Sequence, residues 1–176
     1  MLKIILIAIV VVIAAVLIYA ATKPDTFSVQ RSTTIKAPPE KIFALVNDFN
    51  QWPKWSPWEE KDPTMQRTHS GAPAGKGAVY EWNGNKDVGQ GRMEIIQSSP
   101  PSQISIKLDF LKPFEAHNIA DFSFTPDGDA TVVKWVMHGP NPYLGKLMQV
   151  FMDIDRMVGT DFEAGLAKLK TAAETP

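Results

Sequence analysis

Asp155 is the carboxylate whose position in the sequence argues most strongly for chemistry. At about 100° per residue it falls between Phe151 and Phe162, inside an apolar helical stripe, while Asp153 and Arg156 fall outside it. A carboxylate turned toward a core is costly unless it is paired, hydrogen-bonded or protonated. It therefore either meets a polar group of a ligand, or acts as an acid or base, or bonds a Trp or Tyr donor at the stripe's edge. His69, His117 and His138 stand on three separate strands or strand ends. Metal sites need nearer spacing or a supporting carboxylate pattern, so no metal is expected. His117 and Asp121 share one side of a strand, as an acid/base pair or as a solvated, hydrogen-bonded histidine.

Other chemistries drop out on residue types alone. There are no cysteines, which excludes disulfides, thiolate zinc sites, iron–sulfur clusters and cysteine nucleophiles. No G-x-S-x-G elbow occurs. Gly71-Ala-Pro-Ala-Gly75-Lys76-Gly77 is one residue short of a P-loop and lacks its Ser or Thr. Gly89-Gln-Gly91-Arg-Met-Glu94 lacks the third glycine of a dinucleotide fingerprint and leads into a strand. No cofactor is expected. With 18 basic and 19 acidic residues the 176-residue chain has a net charge of -1 and carries no basic, aromatic-laced stripe, so nucleic acid is not a partner.

The elements that would position these residues fall into two parts. Ile4 to Ala21 is uncharged throughout. As a helix it spans about 27 Å, close to a hydrocarbon core of about 30 Å. Residues 1–22 thus read as a single-pass transmembrane anchor, with Tyr19 and Lys23 suited to the interface. The alternative is a cleaved signal peptide, but cutting after Ala20 or Ala21 puts Ile18 or Tyr19 where a small residue belongs. Flanking charges are nearly balanced, and the three-residue leader tips the domain toward the extracytoplasmic side. Residues 23–25 form a linker, and residues 26–176 a single domain.

Within that domain Thr26–Ile35 alternates as a strand, and Pro38-Pro39-Glu40 opens a short amphipathic helix. Trp52, Trp55 and Trp58 follow in a proline-punctuated turn. About six strands come next between residues 64 and 138, with Asn83-Gly84 as a hairpin turn. From Tyr143 to about Ala173 the apolar positions keep a helical period as one long helix. Gly159 and Gly165 in its interior cost about 1 kcal/mol each, acceptable for a helix pressed onto a sheet. Helices segregated from consecutive hairpin-linked strands imply an α+β fold with an antiparallel sheet.

The segments IKAPPEKIFALVNDFNQWPKWSPW, GKGAVYEWNG and GQGRMEII, with the amphipathic last helix, resemble the START-related superfamily, and its polyketide cyclase/dehydrase-like branch most of all. The resemblance covers residues 26–172 and leaves out the anchor. It implies a helix-grip fold, in which a curved antiparallel sheet wraps a long C-terminal helix and a hydrophobic ligand sits between them. The expected ligand-binding residues are Trp55, Trp58, Tyr80, Trp82, Phe110, Phe122, Trp135, Met148, Phe151, Asp155 and Phe162. The function expected is membrane-tethered binding of a small hydrophobic molecule: a lipid, an isoprenoid or an aromatic. Two alternatives stand beside it. One is a cyclase- or dehydratase-like enzyme using Asp155, His117 or Tyr80, and the other is a protein-interaction module of the envelope or stress response. No two ionisable residues meet at one site by spacing alone, so binding is preferred over catalysis, and no catalytic residue is assigned.

Overall fold

The computed structural model describes residues 1–175; Pro176, the last residue of the expected domain, lies outside them. Helix α1 is Leu2–Ala21, strand β1 Thr26–Ile35 and helix α2 Pro39–Asn47. A 3-10 helix over Phe49–Lys54 and the single turn α3, Trp58–Lys61, take up the Trp-rich stretch. Strands β2 (Gln66–Gly71), β3 (Ala78–Asn83), β4 (Gln90–Ser99), β5 (Gln103–Lys112), β6 (Ala116–Asp127) and β7 (Ala130–Pro140) follow. Helices α4 (Tyr143–Phe151) and α5 (Ile154–Glu174) end the chain. The seven strands form one curved, wholly antiparallel sheet in the order β1-β7-β6-β5-β4-β3-β2. This is the α+β helix-grip arrangement expected from the sequence.

Local chemistry explains the helical corner. Pro39 and Glu40 suit the first turn of α2, which buries Ile42, Phe43 and Val46. Its last carbonyls have no partner within the helix. The indole of Trp52 donates to the carbonyl of Val46 and that of Trp55 to the carbonyl of Leu45, each at 3.0 Å. The tryptophans thus cap α2 while their rings enter the core. Asp48 starts the 3-10 helix by accepting from the backbone N–H of Asn50 at 2.9 Å.

Helix α5 crosses the concave face at the β1 side of the sheet. It buries Phe162, Leu166, Leu169 and Ala173. Phe162 stacks on Trp135 of β7 with ring centroids 3.9 Å apart. The two interior glycines have separate causes. A Cβ on Gly165 would lie 3.0 Å from Cζ3 of Trp135 and 3.1 Å from Cδ of Pro57. A Cβ on Gly159 would collide with the Arg31 guanidinium, which lies across the helix there.

Two expectations need correction. The C-terminal helix is two helices: Met152 and Asp153 are extended, and the Asp153 carboxylate caps α5 by accepting from the N–H of Arg156 at 2.9 Å. Asn83-Gly84 is not a two-residue hairpin turn. Residues 84–89 form a longer loop, closed by Gly84 N–H to the carbonyl of Gly89 and tied to Asp62 through the N–H of Asn85 at 2.7 Å. Between α1 and β1, Asn141 donates to the Pro24 carbonyl at 2.9 Å, and Lys146 pairs with Asp25 at 2.5 Å.

Gly165→Val forces a branched side chain between Trp135 and Pro57, an overpacking worth about 1–3 kcal/mol. The expected result is a lower urea midpoint for the full-length protein in detergent, at unchanged denaturant slope.

Candidate functional site

Between the β3–β5 part of the sheet and the Trp-rich turn lies a cavity of about 140 Å³. Tyr80 and Trp82 of β3, Met93 of β4, Leu108 and Phe110 of β5, Ala120 of β6, and Trp135 and Met137 of β7 line it from the sheet. Trp52, Ser56, Trp58 and Met65 close it from the turn, and Asp87 and Val88 of the β3–β4 loop stand at its rim. The wall is apolar apart from the Ser56 hydroxyl, the rim carboxylate of Asp87 and the polar tips of the aromatic rings. Three methionines in the wall can re-pack around occupants of different shape.

Glycines clear the space for the wall. A Cβ on Gly91 would run into the indole of Trp82, whose Nε1 donates to the Val88 carbonyl at 3.0 Å. Gly89 turns the chain at φ +65 just before. The Gly89-x-Gly91 spacing therefore serves a loop exit and a flat tryptophan, and the Gly71–Gly77 motif is the β2–β3 connection.

The indole N–H groups of Trp52, Trp55 and Trp82 all reach backbone carbonyls. Trp135 differs. It is 3% exposed, and its Nε1 has no hydrogen-bond partner among the described residues. A buried donor left unpaired costs about 1–3 kcal/mol. The Cζ3 edge of this ring rests against α5 at Gly165, so its opposite, N–H-bearing edge faces away from that helix.

One charged set reaches the wall. The Tyr80 hydroxyl donates to Glu59 Oε1 at 2.7 Å, and Arg67 grips Glu59 Oε2 through Nε at 2.7 Å and Nη2 at 2.6 Å. Burial, and then the bond to Glu59, push the Tyr80 phenol well above its ordinary value. It stays protonated at neutral pH, with its proton committed to Glu59.

Of the residues expected at the ligand, Trp58, Tyr80, Trp82, Phe110 and Trp135 come together on the cavity wall. Trp55, Phe122 and Phe162 are fully buried beside Trp135 and form the packed layer next to it. Met148 and Phe151 lie elsewhere, because the break at Met152–Asp153 takes α4 off the sheet; Phe151 is 72% exposed. Asp155 neither enters the core nor meets a Trp or Tyr. It sits at the exposed start of α5, where Arg31 binds it through two nitrogens at 3.0 and 3.1 Å and holds its carboxyl below the usual range. Periodicity carried across the break gave it a core phase it does not have.

His117 and His138 are on the outer face, while His69 stands opposite Tyr80 on the inner face at the β2 edge, the two ring centroids 5.1 Å apart. His117 Nδ1 lies 2.7 Å from Asp109 and not on Asp121. Asp121 instead takes the Ser105 hydroxyl at 2.5 Å and His138 Nε2 at 3.0 Å. Serine and histidine meet the same carboxylate, so the histidine does not activate the serine. Among the described residues no three potential ligands gather as a metal site. The sequence reading missed Glu59 and Arg67, since neither stands in any pattern. Leu108 and Met137 were in phase with their strands and legible.

A family model described as "Polyketide cyclase / dehydrase and lipid transport" matches residues 26–174. No curated protein matches the chain. A protein from Chromobacterium violaceum has a similar structure at 15% identity and TM-score 0.60, over 87% of this chain and 100% of that one. One from Mesorhizobium loti is similar at 17% identity and TM-score 0.58, over 83% and 96%. The di-domain ARO/CYC StfQ of the steffimycin biosynthetic pathway is similar at 13% identity and TM-score 0.63, over 85% of this chain and 51% of its own, so the present chain spans about half of it.

Arg67→Met strips Glu59 of its cation inside the fold and is expected to cost about 3 kcal/mol. Adding Glu59→Gln should restore most of that loss. Urea denaturation of the full-length variants in detergent checks both; equal stability of the single and double variants goes against a buried ion pair.

Proposed function

The chain belongs to the polyketide cyclase / dehydrase and lipid transport family, and from that premise we propose that it binds a small, neutral, apolar molecule beside α5 while α1 anchors it in a membrane. The observation that carries this reading is a largely apolar cavity lined in part by Trp135, a buried residue whose indole N–H has no hydrogen-bond partner among the described residues. Apolar burial at about 25 cal/mol per Å² drives binding. One acceptor on the ligand, such as a carbonyl or ether oxygen, satisfies the indole and fixes orientation. A volume of about 140 Å³ suits an aromatic ring or the end of an isoprenoid or acyl chain. An anionic ligand fits poorly, because among the described residues no Lys or Arg lines the cavity. Helix α1 is long and apolar enough to span a bilayer and almost none of it is buried in the domain, which supports the anchor reading. A tether raises the local supply of molecules that partition into lipid.

A cyclase- or dehydratase-like reading rests on Tyr80, Glu59 and Arg67. It is weaker, because the phenol proton is already held by Glu59 and the one further ionisable group of the lining, Asp87, is an exposed residue of the β3–β4 loop.

Acetophenone and α-methylstyrene have the same shape and differ by a carbonyl oxygen against a methylene. With the full-length protein in lipid nanodiscs and free probe set through the vapour phase, tryptophan fluorescence should report about two- to tenfold tighter binding of acetophenone, the worth of one net hydrogen bond. Trp135→Phe should erase the preference while both probes still bind. Binding of neither probe, or a preference that survives Trp135→Phe, contradicts the proposal.

A further inference from the structure

We infer that the bilayer holding α1 is also the surface on which α4 and the β5–β6 tip rest, so that the cavity rim faces lipid. This rests on the reading of α1 as a membrane anchor. Antiparallel pairing sets the geometry. Thr26 pairs with Pro140, Phe110 with Ala116, Gln90 with Lys112, and Asn83 with both Gln90 and Gln66. These residues define one end of the sheet. The chain leaves α1 there, enters α4 there, and turns there through both the β5–β6 tip and the β3–β4 loop. Asp87, Val88 and Phe110 of the cavity lining belong to that same end.

Helix α4 is amphipathic, yet it has no buried residue. It packs along α1 instead, and the Tyr143 hydroxyl donates to the carbonyl of Leu17 at 2.9 Å. Leu17 is four residues inside the end of α1, about 6 Å along the helix. A bilayer-spanning α1 therefore places the start of α4 at the depth of the apolar–headgroup boundary. The pinned linker, Asn141 on Pro24 and Lys146 on Asp25, keeps it there.

The exposed apolar side chains agree. Among the described residues after α1, Leu111, Phe114, Tyr143, Leu144, Phe151 and Met152 are exposed at this end and Met157 in the first turn of α5. Ile96, in the far half of β4, is the exception. A helix with no core of its own, fixed beside a bilayer span and flanked by a second apolar tip, has the bilayer as its apolar partner. A ligand then passes between lipid and cavity without crossing water.

The absence of native cysteine allows single spin labels on the full-length chain in phosphatidylcholine/phosphatidylglycerol vesicles. Labels at Val10→Cys, Phe114→Cys, Leu144→Cys, Phe151→Cys and Asp129→Cys are compared for collision with oxygen and with a water-soluble nickel chelate. The expected result is lipid-type accessibility at Val10, at Phe114 and at both α4 positions, the last three at a depth of about 5–10 Å, and water-type accessibility at Asp129. Lipid at Val10 with water at positions 114, 144 and 151 overturns this inference and leaves the anchor standing. Water at Val10 overturns both. Labels at 144 and 151 shielded from both reagents, with spin–spin broadening, mean that a second copy covers α4 and also overturn it.

Discussion

One helix cannot cover the concave face of a seven-stranded sheet. Six interstrand steps of about 4.8 Å make an arc of about 29 Å, against a helix about 10 Å across. In this chain α5 sits at the β1 side, locked by the Phe162–Trp135 stack and by Gly165, which lets the helix approach that indole. The far side, over β3 to β5, is left to the Trp-rich turn. That turn is tied to α2 by two indole N–H groups and cannot sink further. The cavity is the remainder of this covering problem, and Trp135 stands where packed core gives way to open space.

The fold was legible because its signals are local and periodic. Alternation in Gln103–Phe110 put Ile104, Ile106, Leu108 and Phe110 on one face, and all four are buried or half-buried on the inner side. Pro38-Pro39-Glu40 marked α2, and the prolines among the tryptophans marked the turn after it, while the indole caps on α2 came only with the structure. The failures were also physical. The apolar period runs unbroken through Met152 and Asp153, so the sequence resembles one helix, while the side chain of Asp153 caps a new one. That single break moved Met148, Phe151 and Asp155 away from the expected site. Glu59 and Arg67 were invisible, because their pairing depends on α3 folding back over the start of β2, a tertiary contact without sequence spacing. The unpaired state of Trp135 was invisible for the same reason.

Charge is distributed with the same economy. Beside the cavity, the Glu59 carboxylate is neutralised by Arg67 and bonded by Tyr80, and the Asp87 carboxylate of the lining is exposed. Outside, Arg31 joins β1 to the start of α5 through Asp155 and Glu163, a surface clamp rather than a reaction centre. His117 and His138 belong to cross-strand polar pairs on the outer face. Ionisable groups therefore hold elements together, and the lining of the cavity is left mostly to apolar contact.

Native mass spectrometry of the full-length protein, extracted from its own membrane in mild detergent, tests the central claim most directly. Wild-type protein should carry a neutral, apolar adduct, and Ala120→Phe, which fills the cavity from β6, should fly at the bare mass of its chain. Wild-type protein at bare mass under the mildest conditions, or the same adduct retained by Ala120→Phe, would contradict the account.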